Sequence, residues 1–183
     1  MRQQQRLGLL CATTAAAAAV VIAGCGAQVT GTPTTDAADV AAYKTTAAAA
    51  SSAAAASKAA AARTQAIKDN CGQFATTTSA GVKAYNDFIT AHDTNAPDYA
   101  AKRDGAATTL DNAALKVETG VVSAVGALPT ELAEKFTAYV TAARDLAAET
   151  KKMTYSSPVA KLNEASRRIN GARTAVHDAC QAN

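Results

Sequence analysis

The sequence predicts an all-α protein: an up-down-up-down four-helix bundle preceded by an Ala-rich helical or flexible stalk. Three observations carry that prediction. From Arg63 onward apolar residues recur at steps of three and four along four segments, broken around Pro97, Pro129 and Pro158. No segment alternates with period two, and β-branched runs are missing. Of the 183 residues 50 are Ala and 39 are large apolar types, and 27 of those 39 fall in residues 63–183, enough for one small core and not for two domains.

The chain opens with Arg2 and Arg6 and has no acidic residue before Asp36. An apolar stretch follows from Leu7 to Gly24, rich in Ala and interrupted weakly by Thr13 and Thr14. A positive start, a short apolar middle and small residues at the end describe a secretory signal. A membrane span needs about 20 strongly apolar residues, and this stretch is shorter and softer. Residues 1–24 are therefore expected to be a signal peptide removed on export.

Its final residues, Ile22-Ala23-Gly24-Cys25, resemble a bacterial lipobox, in which an aliphatic and two small residues precede the modified Cys. That resemblance implies cleavage between Gly24 and Cys25 and a diacylglycerol on the Cys25 thiol. It implies a protein held at the extracytoplasmic face of the cell membrane by its N-terminal lipid. Residues 25–35 (Cys-Gly-Ala-Gln-Val-Thr-Gly-Thr-Pro-Thr-Thr) bury almost nothing and read as a flexible tether. Such Gly/Thr/Pro tethers resemble those of many actinobacterial lipoproteins, and the resemblance extends to O-linked sugars on the threonines. Without the signal the chain has 16 basic and 15 acidic residues, so no polybasic patch assists the anchor. Two acyl chains suffice for stable membrane binding.

Residues 36–62 form the Ala-rich stalk, with 16 Ala among positions 37–62. Ala favours helix, and Asp36 is placed to cap a helix start. Beyond Val40 and Tyr43 the segment has no apolar face, so it reads either as a helical stalk or as a low-complexity linker.

The bundle occupies residues 63–183. Its first helix carries Ile67, Cys71, Phe74, Val82, Tyr85 and Ile89, with Phe88 beside the last, and ends at Asn95-Ala96-Pro97 because a residue before Pro disfavours helix. The second carries Tyr99, Ala106, Leu110, Ala113, Val117, Val121, Ala124 and Leu128, weakened by Gly105, Gly120 and Gly126. Pro129-Thr130-Glu131 opens the third with Pro near its first turn and an acid at the positive end of the dipole. Leu132, Phe136, Tyr139, Val140, Ala143, Leu146 and Met153 follow. Ser157 is the expected cap of the fourth, which carries Val159, Leu162, Ile169, Ala172, Val176 and Cys180.

Short connections favour antiparallel neighbours, which brings the start of the first helix and the end of the fourth to one end of the bundle. Cys71 and Cys180 lie there on core faces, and in an exported domain the two thiols are expected to form a disulfide. Cys11 belongs to the signal. The enclosed loop of about 110 residues contributes on the order of 4–5 kcal/mol in the chain-entropy model.

Chemistry is sparse. His92 and His177, the two histidines, end the first and fourth helices and so fall at opposite ends of the bundle. His177, Cys180 and Cys71 supply three zinc ligands with no fourth Cys or His available, which favours the disulfide over a metal site. No Glu has a His three residues later, and Gly-x-Ser-x-Gly, His-Glu-x-x-His and phosphate-loop patterns are missing. Met153 and Tyr155 are haem-ligand types that read more simply as a core Met and a loop Tyr. Asp104, Asp111 and Asp145 read as solvated faces, and Lys151-Lys152 and Arg167-Arg168 as surface charge. No catalytic residue, cofactor or metal is expected. A formal charge of +3, 4% aromatics and no Trp argue against a nucleic-acid partner. Two functions remain: a non-enzymatic envelope module with a protein or polymer partner, and a small-molecule or lipid carrier. The carrier requires a cavity of several hundred cubic ångströms lined by Tyr85, Phe88, Tyr139 and Leu146.

Overall fold

Ala-rich sequence builds the longest element. Asp36 accepts a hydrogen bond from the Ala38 amide at 2.9 Å, and from there a single helix, α1 (Ala37–Asp93), runs 57 residues. The computed structural model describes residues 36–183. The expected signal peptide and tether, with Gly24 and Cys25, lie outside the described residues.

From residue 37 the expected stalk 36–62 is helical, and it continues into the first bundle helix without a break at residue 62. From Ala42 to Gln65 every residue is exposed. At 1.5 Å per residue that stretch is about 36 Å long. Its hydroxyls bond back to the preceding turn, Thr46 to the Ala42 carbonyl at 3.0 Å and Ser51 to the Ala47 carbonyl at 2.8 Å, so the helix accommodates them internally.

Packing begins at Ile67, and the first buried residue is Asn70. Among the described residues the bundle is completed by α2 (Tyr99–Ser123), α3 (Thr130–Lys152) and α4 (Ala160–Ala182). Contacts fix the antiparallel order: Cys71 of α1 meets Cys180 of α4, and the Arg144 guanidinium of α3 grips the Glu118 carboxylate of α2 at 2.7 and 3.1 Å. The first turn is a Schellman motif, in which the Asn95 amide reaches the His92 carbonyl and the Ala96 amide the Ala91 carbonyl. Asn95 takes φ +48°, a left-handed conformation that Asn tolerates, so the motif ends α1 ahead of Pro97. Gly126, at φ +80°, turns the chain between α2 and α3.

Several expected positions shift. Phe88 is fully buried while Ile89 and Val82 sit at the edge, because the interior stripe runs Phe74, Thr78, Gly81, Phe88, Ala91. α2 stops at Ser123, so Ala124 and Leu128 belong to the connection, where Leu128 still packs on the core. Met153 is buried one residue beyond α3, in extended conformation. Ser157 does not cap α4. Its hydroxyl accepts the Thr154 amide at 2.9 Å and folds the loop on itself, and Val159 at the helix start is exposed.

Among the described residues nine of the 23 buried hydrophobic ones are Ala, so the helices can approach closely. A Cβ built on Gly81 would lie 3.4 Å from Leu110 Cδ2, and one built on Gly120 only 2.5 Å from Asn70 Oδ1. Asn70 cannot yield freely, since its amide donates to the Ala66 carbonyl at 2.9 Å in a buried position. Phe74 fills the remaining centre, edge-on to Phe136 and Tyr139 with centroids 5.6 and 4.8 Å away.

Gly105 faces open space. Gly105→Ala is therefore expected to stabilise the bundle by about 0.5–1 kcal/mol through helix propensity, whereas Gly120→Ala is expected to destabilise it despite the same propensity gain. Chemical denaturation of the two variants checks the opposite signs.

Candidate functional site

Leu162, Ala165, Ile169 and Val176 bury one stripe of α4. On the flank of that stripe, four residues after Ile169, stands Arg173. It is one of three half-buried cations in the described chain, with Arg103 and Lys135. Arg103 pairs with Asp104 at 2.9 Å and Lys135 with Glu131 at 3.0 Å. Arg173 forms no ion pair or hydrogen bond with any described residue. It borders both a recess of about 90 Å³ and an open cleft of about 400 Å³ along the α1–α4 groove.

The recess is walled by Leu110, Leu146 and Ile169, with Tyr85, Tyr139, Ser166 and Asn170 supplying polar atoms. Tyr139 is 1% exposed and its hydroxyl has no hydrogen-bond partner among the described residues. Burial pushes its pKa up to about 12, with Arg173 drawing it back, so the hydroxyl is a proton donor at neutral pH. Burial likewise raises Tyr85, partly offset by the Ser166 side chain. Phe88, expected to line this space, is fully buried elsewhere in the core. Tyr85, Tyr139 and Leu146 do line it.

The cleft is bordered by the Cys71–Cys180 disulfide, whose Cα atoms are 5.8 Å apart, and by His177. With both thiols bonded to each other, His177 has no thiolate partner there. The chain separation of 109 residues makes this link the longest-range covalent constraint among the described residues.

His92 lies at the opposite end, as expected. Its ring is 6.1 Å from Tyr155, which stacks on Tyr99 at 4.3 Å and donates its hydroxyl to the Ala96 carbonyl at 2.7 Å. Tyr155 thus pins the α1–α2 turn to the α3–α4 loop. Arg103 donates to the Met153 carbonyl at 3.2 Å in the same region. A hydrogen bond donated by the Arg103 Nε–H holds the neighbouring Asp104 carboxylate below the usual range. Lys152 pairs with Glu149, and Arg168 with Glu164 and Asp145, consistent with surface charge. No helix among the described residues is long and apolar enough to cross a membrane.

The model of the Rv2240c four-helix bundle domain matches residues 53–181. The chain belongs to that family. The family is mycobacterial, in keeping with the actinobacterial resemblance of the tether. The family domain begins inside the Ala-rich segment, ten residues before the expected start of the bundle at residue 63. No curated protein and no solved structure matches the chain.

Arg173 and the Tyr139 hydroxyl escaped the sequence reading, which sought clusters of His, Cys and acids. The available signal was a cation adjoining an apolar stripe, which usually marks only a side chain whose stem packs and whose charge reaches solvent.

Two outcomes follow. Replacing both Cys71 and Cys180 by Ser is expected to lower the melting temperature by roughly 15 °C, from a loss on the order of 4–5 kcal/mol. Calorimetry of the oxidised chain and the double variant checks it. Separately, the folded state holds the Tyr139 proton more tightly than the unfolded chain, whose tyrosines titrate near 10. Its contribution is complete below about pH 10 and is lost as pH rises toward about 12, on the order of 2–3 kcal/mol. Denaturant titrations across that window should fall less steeply for Tyr139→Phe.

Proposed function

We propose that the chain is a lipid-anchored protein of the extracytoplasmic face of the cell membrane. It presents its bundle on a helical stalk as a non-enzymatic interaction or structural module for an envelope protein or polymer. The observation that carries this reading is the exposed helix from Ala42 to Gln65. A helix of about 36 Å that buries nothing contributes little to the fold, and it suits a spacer between an anchored N-terminus and a packed domain. The lipobox-like Ile22-Ala23-Gly24-Cys25 supplies the anchor in this reading.

The non-enzymatic assignment is supported by the placement of the histidines. His92 stands in the aromatic cluster at one end and His177 beside the disulfide at the other, so they cannot act on one substrate. The second reading, a lipid carrier, fits the recess poorly. A volume of about 90 Å³ is below the roughly 300–1,000 Å³ of small-molecule pockets and too small for the long acyl chain of a lipid.

The anchor is tested by intact mass of the protein purified from its host. The expected species begins at Cys25, carries a diacylglycerol and partitions into detergent, while Cys25→Ala is found in the aqueous phase. An unmodified Cys25 in a chain that retains residues 1–24 overturns the reading.

A further inference from the structure

We infer that the recess between α1 and α4 is a binding site for a carboxylate carried on a short aliphatic chain, held by Arg173 and the Tyr139 hydroxyl. The two residues come from different helices and meet at one space. Neither makes a hydrogen bond to a described residue: one is a half-buried guanidinium, the other the hydroxyl of a residue that is 1% exposed overall and lines the recess. Other half-buried cations of the chain have an acid at hydrogen-bonding distance, and this one does not.

Charge selects an anion. Arg173 is the charged residue lining the recess. The nearby acid on the adjoining surface, Asp87, is neutralised by Lys83 at 2.7 Å, so it does not compete for the guanidinium. A single positive charge matches a monoanion. A phosphate dianion entering the same space would retain uncompensated charge in a partly desolvated site.

Shape narrows the class. The planar guanidinium donates two parallel N–H bonds to a planar carboxylate, leaving the Tyr139 O–H to donate to the same group. Asn170 beside Arg173 adds an amide at the rim. The walls of Leu110, Leu146 and Ile169 are apolar and suit a short alkyl portion. A space of about 90 Å³ accommodates only a few such carbons. The site is independent of the lipid anchor: failure of either leaves the other standing, because one is read from binding and the other from the mass of residue 25.

The test is an NMR titration of the full chain in detergent micelles with butyrate, following the Arg173 Nε–H and Tyr139 ring resonances. Saturable shifts of both are expected, with butyramide giving none. Arg173→Gln is expected to weaken butyrate about tenfold or more, and Tyr139→Phe about threefold to tenfold. Helical circular dichroism establishes that each variant folds, and the isosteric Tyr139→Phe carries the test if Arg173→Gln does not. Shifts that grow linearly with butyrate, equal binding of butyramide, or affinities unchanged in the folded variants overturn the inference. Tighter saturation by inorganic phosphate than by butyrate overturns the carboxylate assignment.

Discussion

The bundle depends on how α1 is attached. Residues Ala42 to Gln65 of that helix are exposed, so its hold on the bundle begins at the turns containing Ile67, Asn70, Cys71 and Phe74. At that turn the Cys71–Cys180 disulfide joins α1 to the end of α4 across 109 residues of chain. The unfolded state loses much of its freedom by that closure. A core in which nine of 23 buried hydrophobic residues are Ala removes less apolar area from water per helix than a Leu-rich one. Covalent closure and close approach compensate for that deficit.

Close approach has its own consequences. At Gly81 and Gly120, α1 and α2 come so near that little or no room remains for a Cβ. Where larger residues stand instead, at Tyr85, Tyr139 and Leu146, the interior opens into the α1–α4 groove. The recess adjoins that tight seam, since Gly81 and Leu110 also line it. At the far end, stacking of Tyr155 on Tyr99 holds two loops together, keeping the open end of the helix pairs in register.

Electrostatics separates the ordinary surface from the candidate site. Most ion pairs are exposed contacts within one helix or between neighbouring residues and contribute little each. Arg144–Glu118 and Arg168–Asp145 cross between helices and help align α2, α3 and α4. Arg173 belongs to neither group. Its charge is turned toward a groove and draws down the pKa that burial raises on Tyr139.

Much of the bundle was legible because helical periodicity is a local property. Phe74, Leu110, Leu132, Phe136, Tyr139, Leu146, Leu162, Ile169 and Val176 all face the interior as their spacing dictates. Pro97 and Pro129 marked the breaks because Pro constrains its neighbours wherever it stands. The cysteine pairing also followed from topology once four antiparallel helices were assumed. Boundaries were less legible: the Asn95 Schellman turn and the Ser157 loop bond depend on several residues acting together. The choice of Phe88 over Ile89 was made by tertiary packing, since adjacent apolar residues on a helix differ by only 100° in direction. Ala was equally ambiguous, being able to line a void or a seam, and only the assembled helices decided where it closes and where it leaves space. The pairing of Arg173 with Tyr139 lay beyond the sequence for the same reason: 34 positions separate them, and their common ground exists only once α3 and α4 have packed against α1.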